Sequence, residues 1–249
     1  MKTVHAKDVQ RALRALAQPR KVPTLQRFFK TGPGEYAEGD VFLGVSVPAQ
    51  RRVAREHRGI AWREAILLLK SPTHEDRLTS LFLLVDAYTR ADPKERVAIA
   101  KAYLKNTKRV NNWDLVDSSA PQILGAHLLD KNRSVLTKLA KSKNLWERRI
   151  AMISTYAFIQ NGEHADTFAI AELLLRDEHD LIHKATGWML REVGKRVDAK
   201  HLRAFLKTHA SNMPRTALRY AIEHFPRSER SLWLHHPNTR KRSGDRYAG

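Results

Sequence analysis

The chain is a succession of short helical segments, and this pattern constrains its fold more than any other feature. Apolar residues recur at helical spacing between short polar joints such as Ser71-Pro72-Thr73 and Ala91-Asp92-Pro93. No segment shows the strict alternation that is typical of a half-buried strand. We therefore predict an all-α chain. The predicted helices lie at about 60–70, 74–90, 93–105, 111–118, 120–129, 132–141, 145–160, 163–176, 179–195, 197–209 and 214–224.

The short joints restrict how these helices can pack. Helices that are joined by a few residues pack antiparallel against their neighbours, and pairs recur here about every 35–40 residues. The pattern predicts a HEAT-like α-solenoid of antiparallel helix pairs with a concave face. The repeats are degenerate, so an irregular helical bundle is the alternative. We expect one domain over residues 1–225 and a basic, flexible tail over 226–249.

The charge of the chain indicates its class of partner. Lys and Arg number 45 against 26 Asp and Glu, which gives a formal net charge of +19 and a sequence pI near 10.4. A polyanion is the expected partner of such a chain, with nucleic acid first and an anionic membrane surface second. We therefore expect the concave face of the solenoid to be basic.

The composition excludes several kinds of chemistry. The chain contains no cysteine, which excludes a disulfide scaffold, Cys-ligated zinc, an iron–sulfur cluster and a catalytic thiol. No apolar run approaches the ~20 residues of a membrane span. Met1–Gln10 is basic but lacks the apolar region of a secretory signal. The sequence predicts a cytoplasmic, nucleoid-associated monomer that does not bind membranes.

Trp188 lies on an unusual face of the predicted helix 179–195. At about 100° per residue, the apolar residues of this helix share one side, and Trp188 falls among Lys184, Arg191 and Lys195 on the other. The cationic stems or another helix could shelter this indole. Alternatively, the indole contacts a sugar or a base while the three cations hold phosphates. We favour the second interpretation.

Trp113 and Asp117 are four residues apart and so share one face of the predicted helix 111–118. Leu115 and Val116 point to the other side, towards a core. A carboxylate on the exposed side opposes phosphate binding. It could pair locally, since Asp114 and Asp117 could balance Lys108 and Arg109. It could instead stabilise positive charge that develops in a reaction beside the indole of Trp113.

The segment 144–150 contains a third tryptophan. Trp146, Ile150 and Ile153 recur at core spacing, so we expect Trp146 to be buried. Arg148 and Arg149 are candidate phosphate contacts because the guanidinium fork matches phosphate oxygens. His179 and His183 lack the His-Glu-x-x-His arrangement, and we predict no metal site. Ser118-Ser119 are expected to cap the helix that Pro121 enters.

Several ordered motifs resemble those of the AlkD-like DNA alkylation repair family. The segment 112–117, Asn-Trp-Asp-Leu-Val-Asp, is similar to its Trp-Asp-x-Val-Asp signature, and 146–149 is similar to its Trp-x-x-Arg. The segment 184–192, Lys-Ala-Thr-Gly-Trp-Met-Leu-Arg-Glu, resembles its Lys-Ala-x-Gly-Trp-x-Leu-Arg-Glu. Upstream, the segment 42–51 is similar to its Gly-Val-x-x-Pro-x-x-Arg motif, which ends here at Arg51, an expected DNA contact. The resemblance covers about residues 24–225.

The resemblance implies a function. The family is a HEAT-like solenoid with DNA glycosylase activity on N3- and N7-alkylated purines such as 3-methyladenine and 7-methylguanine, and it uses no metal or other cofactor. By resemblance, Asp117 is the catalytic carboxylate, Trp113 and Trp188 flank the deoxyribose of the lesion, and Arg149 contacts DNA. The expected activity is base excision from duplex DNA by a monofunctional hydrolase without a base-flipping pocket.

The sequence departs from the family at three places and leaves two rival functions. The aromatic residue near the N-terminal end of the cleft, an expected DNA contact, is Phe28, which lacks the hydroxyl of a tyrosine. Ser46 stands where a longer polar side chain can occur in relatives, and the loop over 31–40 is longer than usual. A non-catalytic binder of branched or distorted DNA would share the basic face but would not need Asp117. A scaffold for an acidic protein partner would use Trp113 and Trp188 as anchors.

Overall fold

The protein is helical throughout the part that the structure describes. The computed structural model describes residues 4–235. Within this range, extended segments pair only in an isolated bridge between Val41 and Thr73. None of the helices in the same range is long and apolar enough to cross a membrane. Contacts divide the described residues into two compact units, which separate between Asn132 and Arg133.

The first unit is built around its longest helix, α5. The helices α1, α3, α4, α6 and α7 all contact α5. The turns of the predicted loop 31–40 separate α2 from α3, which begins at Val47 with Pro48 in its first turn. The helices are α1 (Ala6–Ala15), α2 (Val22–Phe29), α3 (Val47–Glu56), α4 (Trp62–Leu69), α5 (His74–Arg90), α6 (Pro93–Lys105) and α7 (Trp113–Asp117).

The second unit is built around α12, which contacts every neighbouring helix from α9 to α14. Ile182, Ala185, Met189 and Val193 of this helix are fully buried, as the periodicity predicts. The helices are α8 (Ser134–Ala140), α9 (Leu145–Ser154), α10 (Tyr156–Gln160), α11 (Ala165–Leu174), α12 (Asp180–Arg196), α13 (Ala199–His209), α14 (Arg215–Ala221) and α15 (Arg227–His235).

Polar residues in the joints explain where several helices begin. The Asp92 carboxylate accepts a hydrogen bond from the N–H of Glu95 at 2.8 Å, with Pro93 at the first position of α6. Asn144 caps α9 and Asp198 caps α13 in the same manner. Each cap satisfies an N–H group that has no partner inside its helix. The caps fix the boundaries that periodicity alone leaves open.

Gly187 allows α12 and α14 to approach closely. A Cβ atom at this position would lie 2.4 Å from the carbonyl oxygen of Ala217 and 2.5 Å from Cβ of Tyr220. Both are closer than atoms can approach without a shift of the backbone. The glycine before Trp188 in the segment 184–192 therefore has a packing role, and it sets the position of the helix that carries the indole.

We expect Gly187→Ala to destabilise the protein by about 3 kcal/mol, because overpacking against a backbone cannot be relieved by a side-chain rotation. Urea unfolding followed by circular dichroism measures the change. Gly194→Ala on the same helix is the matched control. The atom nearest to its new Cβ would be Cδ2 of Leu202 at 2.6 Å, the end of a side chain that can rotate, and no backbone atom is among the three nearest. Equal stability of the two variants would contradict this explanation of Gly187.

The structure confirms the predicted all-α class and nearly all of the predicted helices. Several helices that follow one another pack together, such as α4 with α5, α8 with α9 and α12 with α13, as helix pairs in a solenoid do. One segment differs, because the helix predicted over 120–129 takes the wide π form at Pro121–Gly125. Pro121 has no N–H to donate, and π turns are frequent near functional sites. The single domain over 1–225, the HEAT assignment and the concave basic face stay predictions.

The predicted flexible tail begins with an ordered helix. Residues Arg227–His235 form α15, and the Glu229 carboxylate accepts two hydrogen bonds from Arg203 of α13, at 2.7 and 2.9 Å. This ion pair attaches a segment that the composition indicates to be polar and unstructured. The rest of the predicted tail, 236–249, lies outside the described residues.

Candidate functional site

The first group of predicted site residues lies on α7. This helix has only five residues, and Asn112 caps it by accepting a hydrogen bond from the N–H of Trp113 at 2.8 Å. Leu115 and Val116 are fully buried, whereas Trp113 and Asp117 are partly exposed. The structure thus brings the indole and the carboxylate to the exposed side of α7, as their spacing predicts.

An aromatic cluster extends from Trp113. Its ring stacks on Phe29 of α2, with ring centroids 5.5 Å apart and an angle of 22° between the planes. Phe28 meets the edge of Trp113 at 5.8 Å and is 61% exposed. A single exposed apolar side chain is common on protein surfaces, but this ring continues the aromatic surface of Trp113. The predicted contact residue Phe28 therefore presents an aromatic surface directly beside Trp113.

Behind the aromatic cluster lies a buried chain of charged groups. The Arg77 guanidinium donates to Asp40 at 2.6 Å. His74 bonds Asp40 through Nδ1 at 2.9 Å and Asp114 through Nε2 at 2.8 Å. Asp114 is the residue that follows Trp113 on α7. We name the set Arg77, Asp40, His74 and Asp114 the histidine chain.

The histidine chain corrects the interpretation of Asp114, and the sequence analysis did not predict the chain. Asp114 pairs with His74, not with Lys108 or Arg109 as the local explanation supposed. The overlooked signal is the run His74-Glu75-Asp76-Arg77, in which four polar residues open a helix and are all buried. Buried charges in proteins are paired, so such a run requires distant partners.

Burial by itself lowers the pKa of His74. The charges of Asp114 and Asp40 and the hydrogen bonds to both outweigh it and raise this pKa to about 9. Burial raises the pKa of Asp40, but the hydrogen bond from His74 and the charge of Arg77 hold it below its ordinary value. The buried imidazole is thus a cation between two anions at neutral pH.

The stability of the protein should therefore fall at alkaline pH. A folded-state pKa above the ordinary value of 6.5 gives stability that is complete below pH 6.5 and is lost as the pH rises through 9. We expect the free energy of unfolding to decrease by about 3 kcal/mol over this interval. Urea unfolding at pH 6.5 and pH 9 measures it. An unchanged free energy of unfolding would show that the imidazole is neutral in the folded protein.

Ser119 supports the C-terminal end of α7. Its hydroxyl donates to the carbonyl of Leu115 at 2.6 Å and bonds the hydroxyl of Tyr103 at 3.0 Å. The expected capping of the segment at Pro121 by Ser119 is therefore wrong, since the hydroxyl bonds back into α7. Burial raises the pKa of Tyr103, the bond to Ser119 lowers it, and the charge of Asp117 raises it further. Tyr103 thus lies within the electrostatic reach of the Asp117 carboxylate.

In the second unit, Trp188 lies partly exposed on α12, with its ring 6.4 Å from that of Tyr156. The cations predicted around it differ in their contacts. Lys184 pairs with Asp180 at 2.7 Å, and Arg191 pairs with Glu223 and lies 3.7 Å from Glu192. Lys195 is exposed. Acidic neighbours therefore offset part of the cationic face that the sequence indicates.

Arg148 and Arg149 are held by the protein itself. The Arg149 side chain is buried and donates to the carbonyl of Leu181 at 2.6 Å. Arg148 donates to Asp177 at 2.6 Å and to the carbonyls of Ser142 and Lys143. These bonds connect the start of α9 with the start of α12. A contact of either arginine with DNA stays a prediction.

The remaining predicted positions are on the surface or in the core as expected. Arg51 is exposed on α3, and its guanidinium lies 4.1 Å above the ring of Phe82. Trp146 is buried, which confirms its core assignment. Within residues 4–235, no group of three or more His, Asp or Glu side chains could hold a metal ion.

Comparisons with known proteins agree with these observations. A family model described as DNA alkylation repair enzyme matches residues 9–225. A solved structure titled as a predicted DNA alkylation repair enzyme from Enterococcus faecalis is similar in fold, with a TM-score of 0.65. The two chains are 16% identical over 85% of this chain and 97% of that one, so the likeness shows the fold alone. No curated protein matches the chain.

Proposed function

The chain belongs to the family of DNA alkylation repair enzymes, and from this premise we propose that it is a monofunctional DNA glycosylase. Its substrates are purines alkylated at N3 or N7 in duplex DNA, and its products are the free base and an abasic site. The observation that carries the proposal is that Trp113 and Asp117 both lie on the exposed side of α7. A protein that only held DNA would gain nothing from a carboxylate there.

The chemistry of the substrate explains why so few groups suffice. Alkylation at N3 or N7 gives the purine a positive charge. When the bond from C1′ to the purine nitrogen breaks, its electron pair neutralises the leaving base. The base needs no acid to protonate it, in contrast to the neutral leaving group of a glycoside hydrolase. The enzyme has only to stabilise the cation that develops on the sugar.

Asp117 and Trp113 suit that task. An ionised carboxylate stabilises an oxocarbenium-like sugar electrostatically, and the electron-rich face of an indole attracts a cation. We assign the same aromatic role to Trp188 of α12. Water then adds to C1′ and loses a proton, which Asp117 accepts or passes to solvent. No metal or cofactor is required in this scheme.

We assign DNA binding to the positive charge of the protein and to its exposed aromatic rings. A net charge of +19 favours the DNA backbone. Lys195 and Arg51 are exposed for phosphate contacts, and Phe28 presents an apolar face to a sugar or a base. To contact DNA, Lys184, Arg191 and Arg148 would each have to exchange an acidic partner for a phosphate. Arg149 would have to leave the carbonyl of Leu181.

The test is release of the free base from a defined duplex. We expect the protein to liberate 7-methylguanine and 3-methyladenine and to leave an alkali-labile abasic site. A duplex without the lesion is the control. Salt-sensitive duplex binding without release of either base would contradict the proposal and favour a non-catalytic binder of distorted DNA. Binding that salt does not affect would favour a protein partner instead.

A further inference from the structure

The orientation of α7 depends on contacts outside the helix. A helix of five residues is far too short to be stable by itself. Trp113 and Asp117 lie at its two ends, so a small rotation of α7 would displace both. Whatever holds the first turn of α7 therefore sets the position of the proposed catalytic groups.

His74 reaches that first turn by two routes. The hydrogen bond from Nε2 to Asp114 attaches the imidazole directly to α7. The ring also lies 4.8 Å from Phe29, the residue on which the indole of Trp113 stacks. The ring also stacks on Phe42 at 4.7 Å with an angle of 22°, and Phe42 in turn stacks on Phe29 at 5.2 Å. Both routes end at Trp113 or its neighbour.

The hydrogen bonds require the imidazole to be doubly protonated. Asp40 and Asp114 are the charged groups that face the ring, Asp40 from the loop over 31–40 and Asp114 from α7. Arg77, from α5 itself, acts on the ring through Asp40. An ionised carboxylate only accepts hydrogen bonds, and a neutral imidazole has a single N–H. Two bonds to two carboxylates therefore need the imidazolium.

We propose that His74 is a positioning residue for base excision, which holds Trp113 and Asp117 in place through Asp114 and Phe29. The inference rests on the proposed function. His74 itself touches no substrate, since it is almost completely buried. Loss of its proton would leave a lone pair facing one carboxylate and would release one of the two bonds. The raised pKa of His74, about 9, places this change at alkaline pH.

The experiment compares His74→Gln with His127→Gln. His127 is a partly buried histidine of the same unit, and its ring bonds the hydroxyl of Tyr88 at 3.4 Å, away from α7. Single-turnover release of 7-methylguanine at saturating protein, and duplex affinity, are measured from pH 6.5 to 10. We expect His74→Gln to lower the rate about 10- to 100-fold at pH 7 through misplacement of the reacting groups. Duplex affinity and the His127→Gln rate should stay near wild type.

The pH profile separates positioning from a general loss of structure. The wild-type rate should fall as the pH rises through about 9, while near-ultraviolet circular dichroism still reports folded protein. Any effect of pH on the substrate acts on both proteins, so the ratio of the wild-type rate to the His74→Gln rate should fall over the same interval. A wild-type profile without this fall, or equal rates for wild type and His74→Gln, would overturn the inference and leave the glycosylase proposal intact.

A second measurement tests the inference even if His74→Gln fails to fold or the wild type releases no base. The protein is labelled with 5-fluorotryptophan, and Trp113→Phe identifies the Trp113 resonance. In the wild type this resonance should shift with a midpoint near pH 9, and the resonance of buried Trp146 should not. A Trp113 resonance that is constant from pH 6.5 to 10 would overturn the inference. Absence of base release alone would overturn only the proposed function.

Discussion

Replacing Asp117 with asparagine is expected to reduce excision of 7-methylguanine about 100- to 1,000-fold, the usual cost of losing a group aimed at developing charge. Asparagine preserves the size of the side chain but removes its negative charge. The leaving purine is already cationic, so the defect lies in stabilising the sugar and orienting water. Duplex affinity should persist or improve, because a negative charge opposite phosphates is removed.

Single-turnover rates and affinities for the same duplex measure the two effects separately. Asp130→Asn is the matched control, since Asp130 is an exposed carboxylate of the same unit that pairs with Lys131 at 2.8 Å. Both variants gain one unit of net positive charge, so any general effect of charge on DNA binding is shared. Asp117→Asn that released the base at the wild-type rate would refute the role of this carboxylate.

The helices could be predicted from the sequence because their signals are local. The periodicity of α12 places Ile182, Ala185 and Met189 in the core, and all three are buried. Asp92 followed by Pro93 indicates the start of α6 within a residue. The spacing of Trp113 and Asp117 predicts their common face. Each inference depends on residues within one or two turns of each other.

The connections behind the site could not be predicted in this way. His74 bonds Asp40 and Asp114, which are 34 and 40 residues away in the chain. Nothing in local spacing links these positions, and Asp40 stands in a loop without periodicity. The same limit applies to α15, where the distant residue Arg203 pairs with Glu229 and orders a polar segment.

The arginines show a different limit. A guanidinium that follows an aromatic residue in a basic protein is easily interpreted as a DNA contact. In the structure, Arg149 donates to the carbonyl of Leu181, and Arg148 donates to Asp177 beside the start of α12. The fork that suits phosphate also suits backbone carbonyls and carboxylates. Residue type alone therefore does not predict these protein partners, and a contact of either arginine with DNA stays a prediction.

Loss of the Glu75 charge should strongly destabilise the first unit. The buried carboxylate accepts hydrogen bonds from the N–H groups of Leu43, Gly44 and Val45, at 2.9 to 3.2 Å. Glu75→Gln preserves the volume of the side chain but replaces one accepting oxygen with an NH2 group, which would face the backbone N–H donors. We expect a loss of about 3 kcal/mol in the free energy of unfolding, the upper range for hydrogen bonds to a charged group.

Urea unfolding measures this loss, with Glu56→Gln as the control. Glu56 is exposed on α3 and lies 3.9 Å from Arg52, so its loss should cost less than about 0.5 kcal/mol. Equal midpoints for the two variants would contradict the role of Glu75.

The hydrogen bonds to Glu75 also explain the Gly44-Val45 motif. Gly44 has φ +83°, and a Cβ there would lie 2.2 Å from the carbonyl oxygen of Gln18. Only glycine lets three successive N–H groups converge on one carboxylate at this position.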